Sequence, residues 1–146
     1  MMRMCTFRLG EEAYGVVADT VIEVLRDQPY TRVPLAPPPV RGLINLRGRI
    51  VPALDLSVCL GRRPAGYDRP GTLIVLRDGD GSTAALVDEV TEVVELDDAA
   101  FAPPPPHLRG PARELVRGAC PLPDRMLLLL DVDRVLRAIA GGAASS

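Results

Sequence analysis

The sequence lacks lysine and tryptophan altogether, and it has one histidine, three cysteines and 3% aromatic residues in 146. Cys5, Cys59 and Cys120 show no metal-ligand spacing, and His107 has no nearby carboxylate or thiol in the sequence, so neither a zinc site nor Cys–His catalysis is indicated. A glycine-rich phosphate loop is also missing. We therefore expect a protein that is not an enzyme and that uses no metal and no cofactor.

Strong net charge and long apolar runs are also missing. The formal net charge is −2, which argues against a nucleic-acid binder that works through bulk electrostatics. The longest apolar run, Met126–Leu130, is far shorter than the roughly 20 residues of a membrane span. An odd number of cysteines without a secretory signal favours a cytosolic protein with reduced thiols.

The residues that are present predict a folded, mostly β protein. Hydrophobic residues make up 47% and charged residues 25% of the chain, and short runs of Val, Ile and Leu alternate with Gly, Pro and Asp. This pattern is typical of small barrels or sandwiches. Asp131 can cap a C-terminal helix with an apolar stripe, which we expect Gly141 to end before a flexible tail at 141–146.

The two halves of the chain repeat one another, which predicts an internal duplication and two similar β units. An offset of 69 residues relates the first pair of segments and an offset of 76 the other two. The pairs are Asp19–Leu25 with Asp88–Val94, Val40–Gly42 with Val116–Gly118, and Arg49–Leu56 with Arg125–Val132. By this alignment Cys120 matches Ile44 and Cys59 matches Val135, so both cysteines should be packed in the core.

Five segments, in order, resemble CheW-type domains, the coupling proteins of bacterial chemotaxis. They are Phe7–Gly15, Val21–Val24, Val40–Leu56, Val87–Val93 and Asp124–Leu129. The resemblance extends from about Phe7 to Leu136. It implies a single domain over residues 1–140, made of two packed five-stranded SH3-like barrels with a short C-terminal helix. The sequence halves would divide near residues 61–71.

The resemblance also implies a function. The chain would be a non-enzymatic adaptor between the regulatory domain of a CheA-type histidine kinase and the cytoplasmic tip of methyl-accepting chemoreceptors. It would be cytoplasmic and recruited to membrane receptor clusters, without insertion into the membrane and without nucleic acid. One alternative is a CheW-like adaptor of a related motility or developmental pathway. Another is a small β-barrel ligand-binding protein, which should have a deep pocket lined by titratable groups.

Arg47 stands out among the candidate binding residues. It occupies a tight Leu-Arg-Gly corner whose counterpart in the second copy contains Pro123, so the motif occurs once. We expect this corner to project toward a groove between the two units. The resemblance assigns receptor binding to Arg47 and to Arg41 on the same segment. The alternative is a surface arginine that pairs with an acidic neighbour.

The resemblance places the rest of the receptor surface on Val21, Glu23 and Val24. Apolar residues around one carboxylate suit a docked amphipathic helix, but the same pattern is also typical of core residues beside one solvated acid. For the kinase contact we expect the strand with Leu73, Ile74 and Val75. The acidic segment Asp88–Asp98 indicates either a basic partner or a solvated face.

Overall fold

The computed structural model describes residues 1–62 and 71–145, with side chains as far as residue 139. Ten strands run through these ranges: β1 Met2–Leu9, β2 Glu12–Val17, β3 Val21–Leu25, β4 Val40–Leu46, β5 Arg49–Asp55, β6 Thr72–Asp78, β7 Gly81–Val87, β8 Glu89–Leu96, β9 Val116–Pro121 and β10 Met126–Leu130. The helices are α1 Leu56–Cys59, α2 Pro111–Leu115 and α3 Val132–Ser145, with 3-10 turns at Ala18–Thr20 and Asp98–Ala100.

The strands form two five-stranded sheets, each an SH3-like barrel, which confirms the predicted fold class. Barrel 1 has the strand order β8-β1-β2-β10-β9, and barrel 2 has the order β3-β6-β7-β5-β4. Replacing each strand by its repeat counterpart converts one order into the other. In both barrels the two hairpins meet in a parallel pair, β2 of β1–β2 with β10 of β9–β10 and β7 of β6–β7 with β5 of β4–β5.

The register of the parallel pairs confirms the duplication in detail. Leu129 lies opposite Gly15 in barrel 1, and Ala53 lies opposite Ala84 in barrel 2. These are the positions that the offsets of 69 and 76 relate to one another. The barrels, however, are not the two halves of the sequence. Each barrel combines the hairpin of one half with three strands of the other, so the two halves exchange hairpins. The predicted division near residues 61–71 falls largely outside the described residues.

The repeated Val-Arg-Gly motif marks a β-bulge in each barrel. Val40 and Gly42 pair with consecutive residues of β5, which leaves Arg41 as the extra residue. Arg117 is the extra residue at the equivalent point between β9 and β10. A bulge changes the direction of its side chain and increases local twist. The repeated arginines are therefore placed by equivalent backbone, although their surroundings differ.

The glycine of the motif allows another segment to approach the strand. Thr31 exchanges two backbone hydrogen bonds of 2.8 Å with Leu43. A Cβ atom on Gly42 would lie 2.3 Å from the Thr31 carbonyl oxygen. Gly118 has the same role in barrel 1, where a Cβ atom would lie 2.9 Å from the Ala102 carbonyl oxygen. The motif thus combines a bulge with a position that only glycine fits.

One apolar core joins the two barrels. Phe7 and Leu128 of barrel 1 pack in it with Ile74 and Leu76 of barrel 2, together with residues of all three helices. A second cluster, which includes Val51 and residues of β6 and β7, fills barrel 2. Because both halves of the chain contribute to the shared core, the barrels form one packed body.

The predicted helix cap at Asp131 is confirmed, and Asp55 caps α1 in the same way. The Asp55 carboxylate accepts a hydrogen bond of 3.0 Å from the Ser57 backbone N–H, and the Asp131 carboxylate accepts one of 3.1 Å from the Arg134 backbone N–H. Each aspartate therefore satisfies a backbone donor of the first helical turn. Leu54 and Leu130, which precede the caps, are buried as predicted.

The predicted end of the C-terminal helix at Gly141 is wrong. Helix α3 begins at Val132, as expected, and its apolar stripe packs on the shared core, but it continues to Ser145. Glycine in a helix costs about 1 kcal/mol relative to alanine without forcing the backbone out of the helical region. The alanines around the two glycines are the strongest helix formers, and this explains the extension.

We predict that a chain divided between Gly66 and Tyr67 will reassemble from its two fragments. Each barrel needs strands from both fragments, so neither fragment alone can close a barrel. Circular dichroism melting should show no cooperative transition for either fragment and a cooperative transition after mixing. A fragment that melts cooperatively as a monomer would contradict the hairpin exchange.

We also predict that Gly42→Ala will lower the free energy of unfolding by about 1–3 kcal/mol through steric overlap. The control is Gly81→Ala, where a Cβ atom would lie 3.7 Å from its nearest neighbour. That control should change the free energy by less than about 1 kcal/mol. Equal losses of unfolding free energy for the two variants in urea titrations would show that the close approach of Thr31 does not restrict the side chain at residue 42.

Candidate functional site

The Asn-Leu-Arg-Gly corner is a two-residue turn between β4 and β5. Arg47 and Gly48 both have positive φ, 52° and 84°, which is typical of a type I′ turn. The Asn45 side-chain oxygen accepts a hydrogen bond of 2.9 Å from the Gly48 backbone N–H. Arginine, unlike glycine, is strained at positive φ. The turn therefore holds Arg47 in an unfavourable backbone conformation, with Asn45 supporting it.

Arg47 and Glu23, two of the predicted receptor-binding residues, lie together. The Arg47 guanidinium forms a fork on the Glu23 carboxylate, with Nη1–Oε1 and Nη2–Oε2 distances of 2.5 and 3.2 Å. The Glu23 side chain is 24% exposed and that of Arg47 is 72% exposed. The hydrogen bond and charge of Glu23 raise the pKa of Arg47, so the guanidinium stays charged. The pair joins β3 to the β4–β5 turn.

Barrel 1 has a related ion pair. Glu92 is the repeat counterpart of Glu23, and its carboxylate lies 3.2 Å from the guanidinium of Arg125, which precedes β10. In each barrel, a carboxylate on the strand at one edge of the sheet, β3 or β8, thus pairs with an arginine beside the hairpin at the other edge. The alternative that Arg47 pairs with an acidic neighbour is therefore correct as a description of its contacts. The pair in barrel 2 differs because its arginine occupies the strained turn itself.

Two exposed apolar residues flank this pair and were missed from the sequence. Ile22, next to Glu23, is the bulged residue of β3, and Ile50 is the register partner of Asn45 on β5. Their exposed fractions are 43% and 64%. The sequence did not indicate the exposure of Ile22 because the β-bulge that causes it depends on strand pairing. Strict alternation of side chains along β3 would have pointed Ile22 in a different direction. We call Ile22, Glu23, Asn45, Arg47 and Ile50 the ion-pair surface.

The other predicted residues of the receptor surface are less exposed. Val21 and Val24 are partly buried, and Val21 packs against the core between the barrels. The ion pair of Arg47 lies within barrel 2, so the structure brings the corner to Glu23 rather than to a residue of barrel 1. Projection of the corner toward a groove between the barrels stays a prediction.

Arg41 is a structural residue, which corrects its prediction as a receptor contact. Its Nη1 atom lies 2.8 Å from Asp55 Oδ2, and the two side chains are 4% and 0% exposed. Its Nε atom donates a hydrogen bond of 3.1 Å to the Tyr30 hydroxyl. A guanidinium buried in this way cannot contact a separate protein. It links the cap of α1 to the segment that crosses Gly42.

The residues predicted to bind the kinase also lie in the core. The side chains of Leu73, Ile74 and Val75 are fully buried or nearly so. Leu73 and Val75 point into barrel 2, whereas Ile74 packs in the core between the barrels. Strand β6 is covered on both faces because its alternate side chains pack in these two cores, and its two edges pair with β3 and β7. A direct side-chain contact by these three residues is therefore corrected to a core role.

The glutamates of β8 and the neighbouring Asp88 form ion pairs with arginines of the same protein. Arg3 lies opposite Glu95 and Arg8 opposite Glu89 in the β1–β8 register, at side-chain distances of 4.0 and 3.5 Å. Arg8 also lies 3.5 Å from the Asp88 carboxylate. These cross-strand pairs favour the interpretation of the segment as a solvated face rather than as a surface for a basic partner.

The cysteines have the environment of packing residues. Cys5 and Cys120 are buried, and Cys59 is partly buried against the shared core. Burial raises the pKa of the Cys5 thiol. Burial and the negative charge of Asp55 raise the pKa of Cys59 to about 12. The thiolate of Cys59, which is the reactive form, is therefore scarce at neutral pH.

The geometry defines the protein as a duplicated two-barrel β module with an exposed ion pair beside a strained turn. The family model described as "CheW-like domain" matches residues 3–140. The chain belongs to the CheW-like domain family. Among the described residues, no helix is long and apolar enough to span a membrane, and no three His, Cys, Asp or Glu side chains are grouped to hold a metal ion.

Named relatives agree with this family. The chain is 35% identical over 130 residues to "Chemotaxis protein CheW" of Klebsiella aerogenes, covering 89% of this chain and 78% of the relative. It is 28% identical to "Protein PilI" of Pseudomonas aeruginosa, covering 77% and 63%. The crystal structure of scaffolding protein TtCheW from Thermoanaerobacter tengcongensis superposes with a TM-score of 0.78 and 30% identity, covering 90% and 84%.

We predict that Arg41→Met will lower the free energy of unfolding by about 3–5 kcal/mol, because it leaves the buried Asp55 carboxylate without its cation. Arg117→Met is the matched control in the second copy, since Arg117 is exposed. It should change the free energy by no more than about 0.5 kcal/mol. Similar values for the two variants in urea titrations would argue against a structural role of the buried pair.

Proposed function

We propose that the chain is a non-enzymatic adaptor that couples the cytoplasmic tips of chemoreceptors to the regulatory domain of a CheA-type histidine kinase. Its place in the CheW family supports this, as do relatives named as chemotaxis and scaffolding proteins. The single observation that carries the receptor side is the exposed fork between Arg47 and Glu23. The adaptor would work in the cytoplasm at receptor clusters.

The ion-pair surface suits an amphipathic helix. Ile22 and Ile50 offer apolar contacts, and between them the pair offers one positive and one negative group. An amphipathic helix binds a protein surface through apolar anchors, and flanking charges fix its register. The predominantly exposed Arg47 retains donors that do not contact Glu23. We therefore propose that Arg47 contacts the receptor while Glu23 holds its guanidinium in place.

The strained turn supports a binding role for Arg47. A β4–β5 turn can be made with Asn-Gly or Gly-Gly at lower cost, since those residues accept positive φ. Strain that has no folding benefit is typical of functional positions. The fork to Glu23 is too exposed to be a strong source of stability. The retention of arginine at this turn is therefore better explained by a partner than by the fold.

Coupling would follow from the packing of the module. The buried residues of β6 that were expected at the kinase interface link the interior of barrel 2 to the shared core. A kinase bound to exposed residues elsewhere on the barrels would thus be held at a fixed orientation to the receptor. An adaptor of this kind transmits a signal when receptor and kinase favour the same state of the complex.

We predict that Arg47→Glu will abolish measurable receptor binding while leaving the fold intact, because it places two carboxylates together at an exposed turn. Binding is measured by titration with a receptor-tip fragment, and folding by circular dichroism melting. Arg49→Glu, two residues along on β5, is the matched charge-reversal control and should bind like the parent chain.

The double variant Glu23→Arg/Arg47→Glu separates two roles of the pair. It restores an ion pair of reversed orientation, so it should recover thermal stability but not receptor affinity. If the double variant also recovers affinity, the pair matters only for the local fold, and Arg47 is not a contact residue. Unchanged affinity of Arg47→Glu alone would remove the ion-pair surface from the receptor site.

A further inference from the structure

Arg117 is exposed, whereas its repeat counterpart Arg41 is buried. Arg41 is buried because the Tyr30 hydroxyl and the Asp55 carboxylate both accept hydrogen bonds from it. In barrel 1, Phe101 replaces Tyr30 beside the glycine of the motif, so the hydroxyl is lost. Arg117 is exposed, and among the described residues its guanidinium has no ion pair and no hydrogen bond.

The carboxylate that would pair with Arg117 is also engaged elsewhere. Asp131, the counterpart of Asp55, caps α3 and lies 3.6 Å from Arg134 Nε. Two differences between the copies, Phe101 for Tyr30 and Arg134 beside Asp131, thus direct Arg117 to solvent. The same bulge that hides an arginine in barrel 2 presents one in barrel 1.

Other exposed arginines lie near Arg117. Arg134 Nη1 donates a hydrogen bond of 3.1 Å to the Glu114 carbonyl oxygen, which ties α3 to α2, and Leu115 contacts Asp131 through the backbone. We call the exposed arginines of this region the arginine face: Arg109, Arg113, Arg117, Arg134 and Arg137. The region also contains three carboxylates, Glu114, Asp131 and Asp133, so positive charge is in excess.

We propose that the arginine face, centred on Arg117, binds an acidic segment of a partner protein. Within the described residues, Arg109, Arg113 and Arg117 have no carboxylate partner, in contrast to the arginines opposite β8. A free guanidinium fork matches the two oxygens of a carboxylate. The face lies on β9 of barrel 1 and on α2 and α3, whereas the ion-pair surface lies on barrel 2, so the two proposed sites share no residue.

A peptide suits this face better than a membrane or a nucleic acid. Surface-bound helices insert apolar residues into lipid, whereas the apolar stripe of α3 is packed on the shared core, with Val132 and Val135 buried. Single-stranded nucleic acids stack on exposed aromatic side chains, whereas Phe101, the aromatic residue beside Gly118, is partly buried.

The test uses the full chain and a fluorescein-labelled octaglutamate peptide in an anisotropy titration at low salt. The parent chain should bind, and Arg113→Glu/Arg117→Glu should weaken binding at least about tenfold. The matched control, Arg26→Glu/Arg49→Glu on barrel 2, carries the same charge change and should have less than about a twofold effect. No binding by the parent chain, or equal losses for both variants, would overturn the proposal.

A second variant keeps the charge constant. Phe101→Tyr supplies the hydroxyl that Tyr30 offers to Arg41, so it should draw Arg117 away from solvent and weaken peptide binding without loss of thermal stability. Unchanged affinity of Phe101→Tyr would show that Arg117 is not the centre of the site. Tighter binding of the parent chain to phosphatidylserine vesicles or to DNA than to octaglutamate would overturn the choice of an acidic protein segment.

Discussion

The apolar core shared by the two barrels is the constraint on which the rest of the structure depends. Phe7 of one hairpin and Ile74 of the other meet in it, and each hairpin completes the barrel of the opposite half. Neither barrel can therefore unfold without exposing the core that it shares with its neighbour. An adaptor gains from this arrangement, because surfaces on different barrels keep a fixed relation without a large interface between separate domains.

Duplication supplies the framework, and small polar differences give the two copies separate roles. Both barrels have a bulged arginine, a glycine that admits a crossing segment, a capping aspartate and a glutamate on the first strand. The surroundings of the arginine decide whether it is buried, as Arg41 is, or exposed, as Arg117 is. The hydroxyl of Tyr30, which Phe101 lacks, and the position of Arg134 beside Asp131 distinguish the copies, because a buried guanidinium needs nearly all of its donors satisfied.

Local patterns in the sequence predicted the features that depend on neighbouring residues. The helix caps at Asp55 and Asp131, the apolar stripe of α3 and the repeat itself follow from short-range spacing. The predictions that were wrong depend on distant residues. The run Leu73–Val75 is equally compatible with a surface strand and a strand covered on both faces. Burial of Arg41 depends on Asp55 and Tyr30, and nothing near position 41 indicates them. The exchange of hairpins was also hidden, since both copies offer the same strand pattern.

Arg47 shows where folding and function separate in this module. Its backbone is strained, its side chain is largely exposed, and its ion pair has a counterpart in barrel 1 that needs no strained residue. A glycine or asparagine at this turn would avoid the strain, and an arginine at the flank of the turn can still form the ion pair, as Arg125 does in barrel 1. The fold therefore tolerates Arg47 rather than requiring it. The Asn45 hydrogen bond holds the backbone of the turn, and the Glu23 fork holds the Arg47 guanidinium. Both contacts fit the proposed role of Arg47 in presenting a guanidinium to a receptor.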